Sequence, residues 1–120
     1  MALTETTHSG DFLISYASGN RSFDDITLLS GQDLAAGTVL GKITASGKYA
    51  GMDTGSPDGR ATAAGILLAA TDASAGDVVC AAVLRDAEVN GEQLVFPSTS
   101  PAADEAAAAV SLATLGIIVR

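Results

Sequence analysis

Two apolar runs joined by a short polar turn, within residues 26–44, constrain the fold of this chain more than any other feature. A run rich in Ile and Leu is followed by Ser-Gly-Gln-Asp and then by a second apolar run at residues 38–44. Short apolar runs bounded by Gly, Ser and Asp are typical of strands, because an amphipathic helix needs a longer segment. We expect further strands at residues 64–69, 78–84 and 93–96. Asn90 and Gly91 predict a hairpin-type turn between the last two of them.

The end of the chain predicts a single helix followed by a strand. Residues 98–100 offer hydroxyl N-caps, and Pro101 suits the first helical position. Residues 106–109 are all alanine, the best helix former, and Gly116 is a natural helix stop. Residues 117–119 then form a last strand. The sequence therefore predicts a mainly β fold with one C-terminal helix, of the α+β class.

Residues 1–25 differ in character from the rest of the chain. Residues 1–10 are polar and aperiodic, which predicts a flexible segment. A stretch of high β-propensity follows, and it consists of Asp11, Phe12, Leu13, Ile14, Ser15 and Tyr16. This stretch either adds as a strand to the edge of a partner's sheet or forms the first strand of the chain's own sheet. We favour the first interpretation, in which residues 1–25 are a flexible binding arm and residues 26–120 the folded domain.

Composition restricts the partners that the chain can bind. The formal net charge is −8, and the six Lys and Arg residues are scattered, whereas nucleic-acid binding requires clustered cations. No apolar stretch approaches the roughly 20 residues of a membrane span, and residues 1–10 lack the cationic and apolar pattern of a signal peptide, so we expect neither a membrane span nor a secretion signal. Aromatic residues make up only 4% of the chain, with no tryptophan. Because so few large side chains are available for a core, we expect copies of the chain to associate and bury more apolar surface.

Residues capable of catalysis or metal binding are few and poorly placed. His8, the one histidine, lies in the predicted flexible segment, and Cys80 lies in an apolar run without a basic neighbour. Asp24 and Asp25 lack the alternating acidic spacing of a calcium loop, as does the loop at residues 51–62. We therefore expect no enzymatic activity, no metal and no cofactor. An alternative function is a small β-rich module that binds a carbohydrate or host-surface ligand through that loop.

Several segments together resemble the head decoration proteins of tailed phages. These segments follow the family order over nearly the whole chain, and they are Arg21-Ser22, residues 26–31, 34–42, 63–67 and 83–89, and the C-terminal residues 115–120. The resemblance implies a β-clip or tulip-like module with one helix, without catalysis or cofactor.

The same resemblance implies a homotrimer on the outer surface of the virion capsid, made in the host cytoplasm. Such trimers bind the major capsid protein after the head expands and stabilise the shell against the pressure of packaged DNA. In this family the N-terminal arm lies against the shell. For this chain, the resemblance assigns shell contact only to the stretch from Asp11 to Tyr16.

Overall fold

The longest strand pair among the described residues joins residues 23–28 to residues 78–83. The computed structural model describes residues 10–19, 21–53, 57–96 and 102–120, without the side chains of 102–104. Strand β2 (Phe23–Leu28) runs antiparallel to β8 (Val78–Val83), with Ile26 opposite Cys80. Ile26 and Leu28 are buried, whereas Thr27 between them is only partly buried and Asp25 before them is exposed, which is the alternation of a strand with one face on a core.

Three further strands close this pair into a five-stranded barrel. They are β4 (Val39–Lys42), β5 (Tyr49–Gly51) and β6 (Ala63–Leu67), and the order around the barrel is β2-β5-β4-β6-β8. A small barrel needs close backbone approaches, and Gly41 provides one of them. A Cβ at this position would collide with the Cα and carbonyl oxygen of Arg60, so only glycine fits without a backbone shift.

A second, three-stranded sheet combines elements from both ends of the chain. Strand β9 (Ala87–Val89) lies in its centre, antiparallel to β1 (Leu13–Tyr16) and parallel to β10 (Ile117–Val119). Helix α1 (Ala102–Thr114) leads into β10. The remaining pair is formed by β3 (Asp33–Leu34) and β7 (Thr71–Asp72).

Two apolar clusters hold these layers together. One cluster packs α1 and the three-stranded sheet against the barrel, and its large members are Phe12, Val39, Met52, Ile66, Val83, Val89, Leu94, Leu112 and Ile117. The other cluster contains Ile26, Leu28, Leu40, Leu67, Ala73 and Ala82. Aliphatic side chains supply nearly all of this burial, as the low aromatic content requires.

The structure confirms the mainly β class with a single C-terminal helix, and it confirms the predicted end of that helix. Gly116 has φ +84° and its N–H donates to the Ala113 carbonyl oxygen at 3.0 Å, so it stops the helix as expected. The predicted N-cap residues 98–100 and Pro101 lie outside the described residues.

The prediction of a strand at residues 93–96 is wrong, and so is that of the hairpin turn before it. Asn90 instead caps a short 3-10 helix, Gly91–Gln93, with its side chain accepting from the Glu92 N–H at 3.0 Å. Gln93 lies in this 3-10 helix, and of residues 93–96 Val95 alone makes a β-bridge, an isolated parallel one with Thr38, while the strand of this region is β9.

Candidate functional site

The stretch from Asp11 to Tyr16, predicted to contact a partner, is divided by the structure between core and surface. Phe12 is only 1% exposed and belongs to the larger apolar cluster. Its carbonyl oxygen accepts a hydrogen bond from the Asn90 N–H at 2.7 Å, which fixes the backbone beside β9. The Phe12 side chain is therefore an anchor within this chain, whereas shell contact by the stretch as a whole stays a prediction.

The rest of the stretch is strand β1, which forms an edge of the three-stranded sheet. Leu13 pairs with Val89 and Ser15 with Glu88, and the register shifts between them, at Ile14. Among the described residues β1 has one neighbouring strand, so its outer edge is unpaired. Ile14 and Tyr16 are 55% and 57% exposed. The structure thus presents two large apolar side chains along an open strand edge, which is the arrangement used for strand addition.

A polar cluster on the outer face of this sheet connects β1 to the C-terminal residue. Ser15 Oγ donates to Glu88 Oε1 at 3.2 Å, and Arg120 Nε donates to Glu88 Oε2 at 3.0 Å. The hydrogen bond and charge of Arg120, with the smaller effect of Ser15, lower the pKa of the Glu88 carboxyl. Glu88, in β9, therefore stays ionised at neutral pH and links Ser15 of β1 to Arg120, the residue that follows β10.

A buried serine holds the turn that follows β1. Ser22 Oγ accepts a hydrogen bond from the Ala17 N–H and donates one to the Asp86 carbonyl oxygen, both at 2.8 Å. Ser22 is fully buried, and Asp86 takes a left-handed conformation with φ +51°. These contacts fix the end of β1 against the β8–β9 turn, so the exposed strand edge is supported from both of its ends.

A groove on the barrel wall adjoins the edge strand. The rings of Tyr16 and Phe23 contact each other with centroids 5.1 Å apart. Phe23 in turn borders a groove of about 420 Å³, whose other walls are Asp24, Asp25, Leu68 and Ala81. The groove could not be predicted from the sequence, because its residues come from three distant segments: β2, β8 and Leu68, which follows β6.

Other residues considered from the sequence take structural positions. Asp24 and Asp25 lie within β2, and Asp24 accepts a hydrogen bond from Arg85 Nη2 at 3.2 Å. Burial raises the pKa of the Cys80 thiol, which makes the thiolate less accessible at neutral pH. His8 lies outside the described residues. In the described part of the chain, no three His, Cys, Asp or Glu side chains gather as a metal ion would require.

The loop at residues 51–62 is only partly described, since residues 54–56 fall outside. Asp58 Oδ2 lies 3.4 Å from Arg60 Nε, so this carboxylate already has a cationic neighbour. The nearby Tyr49 ring is half-buried, and the Lys42 ammonium lies 5.9 Å from its centroid. A sugar ring stacking on this face of Tyr49 would have to displace Lys42. Across the described ranges, no helix is both long and apolar enough to cross a membrane.

Comparison with known proteins identifies the family of this chain. A search of curated proteins found no significant match. Residues 2–117, almost the full length, match the family model described as bacteriophage lambda head decoration protein D. The chain therefore belongs to the bacteriophage lambda head decoration protein D family.

Proposed function

We propose that this protein binds the outer surface of the expanded phage head as a homotrimer and stabilises the shell against the pressure of packaged DNA. The observation that carries the proposal is the family match over residues 2–117, which makes the chain a capsid component of the virion. Its partner is the major capsid protein. Synthesis in the host cytoplasm agrees with a chain whose single cysteine has no partner for an intrachain disulfide.

Strand β1 is the part of the described structure best suited to meet the shell. Among the described residues its outer edge has no strand beside it, so an extended segment of the capsid protein can add there as a further strand. Ile14 and Tyr16 supply apolar contacts along the same edge. Because Phe12 and Ser22 hold the strand in place beforehand, little ordering entropy is lost when the partner binds.

A trimer multiplies this contact. Three edges on one rigid body bind a three-fold arrangement of capsid subunits together, so the second and third contacts form at a high effective concentration. Each edge then requires only a modest affinity. The net charge of −8 agrees with a position outside the shell, away from the packaged nucleic acid.

Co-sedimentation with expanded, empty phage heads tests the proposal. We expect the wild-type protein to sediment with the heads, and Ile14→Asp to weaken this binding at least about tenfold, since a carboxylate would be buried without a partner. Val79→Asp is the matched control, because Val79 is also exposed but lies in β8 on the barrel wall, with a strand on either side.

Two results would contradict parts of this proposal. Failure of the wild-type protein to bind expanded heads would refute the decoration role in that phage system. Binding that Ile14→Asp and Val79→Asp weaken equally would refute the assignment to the β1 edge, while leaving the decoration role in place.

A further inference from the structure

The groove on the barrel wall is formed where a small residue lies between two larger ones. Asp25 of β2 lies directly opposite Ala81 of β8, and the Leu68 N–H donates to the Ala81 carbonyl oxygen at 3.2 Å. The side chain of Ala81 is shorter than those of its two neighbours. The groove, of about 420 Å³, therefore has Asp25 on one side and Leu68 on the other, and Phe23 adds an aromatic ring to its lining.

Asp25 carries the one carboxylate of this groove that no cation of the described residues neutralises. Asp24, the other acid in the lining, accepts hydrogen bonds from Arg85 Nη2 and from the Asp25 N–H, both at 3.2 Å. The basic side chains that lie within 3.4 Å of a carboxylate oxygen all pair with other acids, and they are Arg21, Lys48, Arg60, Arg85 and Arg120. The remaining one, Lys42, lies over the Tyr49 ring. A partner that brings a cation to Asp25 therefore gains a charge contact without breaking an existing ion pair.

The groove lies alongside strand β1. Shortly before β1 begins, the Gly10 N–H donates to the Leu68 carbonyl oxygen at 3.1 Å. At the other end of the strand, the ring of Tyr16 contacts the ring of Phe23 with centroids 5.1 Å apart. Two walls of the groove are thus in contact with the two ends of the β1 segment. A strand added to the open edge of β1 therefore passes within reach of the groove.

We propose that this groove receives a lysine or arginine side chain of the capsid segment that adds to β1. The aliphatic stem packs between Phe23 and Leu68, and the charged end meets the Asp25 carboxylate. Long basic side chains suit such a site, because their stems bury against apolar surface while the charged end stays at a polar group. This contact rests on the proposed function, and it assigns a basic residue to the capsid segment. Strand addition through backbone groups accepts many sequences, whereas a side-chain pocket selects a residue type.

Asp25→Asn tests this contact, because it removes the charge and keeps the shape of the side chain. Asp25 is exposed, so the fold should tolerate the change. In co-sedimentation with expanded heads at about 0.05 M NaCl, we expect Asp25→Asn to bind at least about fivefold more weakly than the wild type, since a modest charge contact is lost at each of three edges. Raising NaCl to about 0.5 M should weaken binding of the wild type more than binding of Asp25→Asn.

Asp33→Asn is the matched control. It makes the same change in net charge at another exposed aspartate, which lies in β3 and does not line the groove. We expect Asp33→Asn to bind heads like the wild type. If Asp25→Asn also binds like the wild type, or if Asp33→Asn weakens binding equally, the groove contact is wrong and the decoration role stands.

A small probe separates the groove from the decoration role. Titration of the isotope-labelled protein with N-acetyl-lysine methylamide should shift the NMR amide signals of Asp25, Leu68 and Ala81, and Asp25→Asn should abolish these shifts. N-acetyl-norleucine methylamide, which lacks the ammonium group, should leave the signals unchanged. If the wild type fails to bind heads but shows the lysine shifts, the groove remains a site for a basic side chain and the decoration role fails. If the lysine probe produces no shifts at the groove, or the norleucine probe produces the same ones, the groove assignment is overturned.

Discussion

Replacing Phe12 by alanine should destabilise the folded protein strongly, although Phe12 lies within the stretch expected from the sequence to contact a partner. The side chain is only 1% exposed and packs in the cluster that joins β9, α1 and the barrel. Truncating such a phenylalanine removes its transfer free energy and leaves a cavity, at a cost of about 3–5 kcal/mol. A chain of 120 residues is stable by on the order of 6–18 kcal/mol in total, so this loss is a large share.

Thermal and urea unfolding at one fixed protein concentration measure the effect, since oligomers unfold in a concentration-dependent way. For a domain of this size we expect Phe12→Ala to lower the Tm by about 10 °C or more. Ile14→Ala is the control within the same stretch. Ile14 is 55% exposed, so its truncation should change the free energy of unfolding by only about 0.5 kcal/mol.

The opposite pattern would refute the reasoning. If Phe12→Ala unfolds at the same temperature as the wild type, the segment before β1 is not packed into the core in solution. The sequence-based picture of a flexible arm that orders only on its partner would then hold through Phe12.

Two further predictions concern the contacts around β1. Ser22→Ala removes the partner of the Ala17 N–H and of the Asp86 carbonyl oxygen in a partly buried turn, and should lower the free energy of unfolding by about 0.5–1.5 kcal/mol in urea titration. The exposed Ser18→Ala should have almost no effect, and an equal effect of both would contradict this role. The pKa of Glu88 is lowered in the folded state, so its stabilising contribution is complete above the ordinary value of 4.5 and disappears as pH falls through the lowered pKa. Urea titrations between about pH 7 and 3 should therefore show a shallower loss of stability on acidification for Glu88→Gln than for the wild type, and identical pH profiles would count against the Arg120 contact.

The sequence predicted those elements whose cause is local. The apolar run that begins at Ile26 became the buried face of β2, and Gly116 ended the helix, because alternation and a left-handed cap depend on near neighbours. Strand β9 escaped prediction because Ala87–Val89 is short and contains Glu88. Its strand character comes from pairing with β1 and β10, and β1 lies more than 70 residues away along the chain.

The candidate site shows the same division between local and distant causes. High β-propensity from Phe12 to Tyr16 indicated a strand, but propensity does not tell which side chains point into a core. Phe12 is buried and Ile14 exposed because the register shifts at Ile14, opposite β9. Such a shift depends on the partner strand, so it cannot be predicted from the sequence of the segment alone. The groove bordered by Phe23 and Leu68 likewise exists only after β2 and β8 pair.

The burial of Phe12 also changes the energetics expected for shell binding through β1. A strand that orders only on its partner reduces the affinity by about 2–5 kcal/mol, whereas a strand already packed in the free protein does not. When only a fraction of molecules have β1 in place, the apparent affinity of each edge falls by that fraction. In the homotrimer that we propose, this reduction acts at all three edges, so it is multiplied through avidity. A substitution that loosens the packing of Phe12 should therefore lower the affinity of the whole protein for heads far more than it lowers the affinity of one edge. This loss requires no contact between Phe12 and the shell.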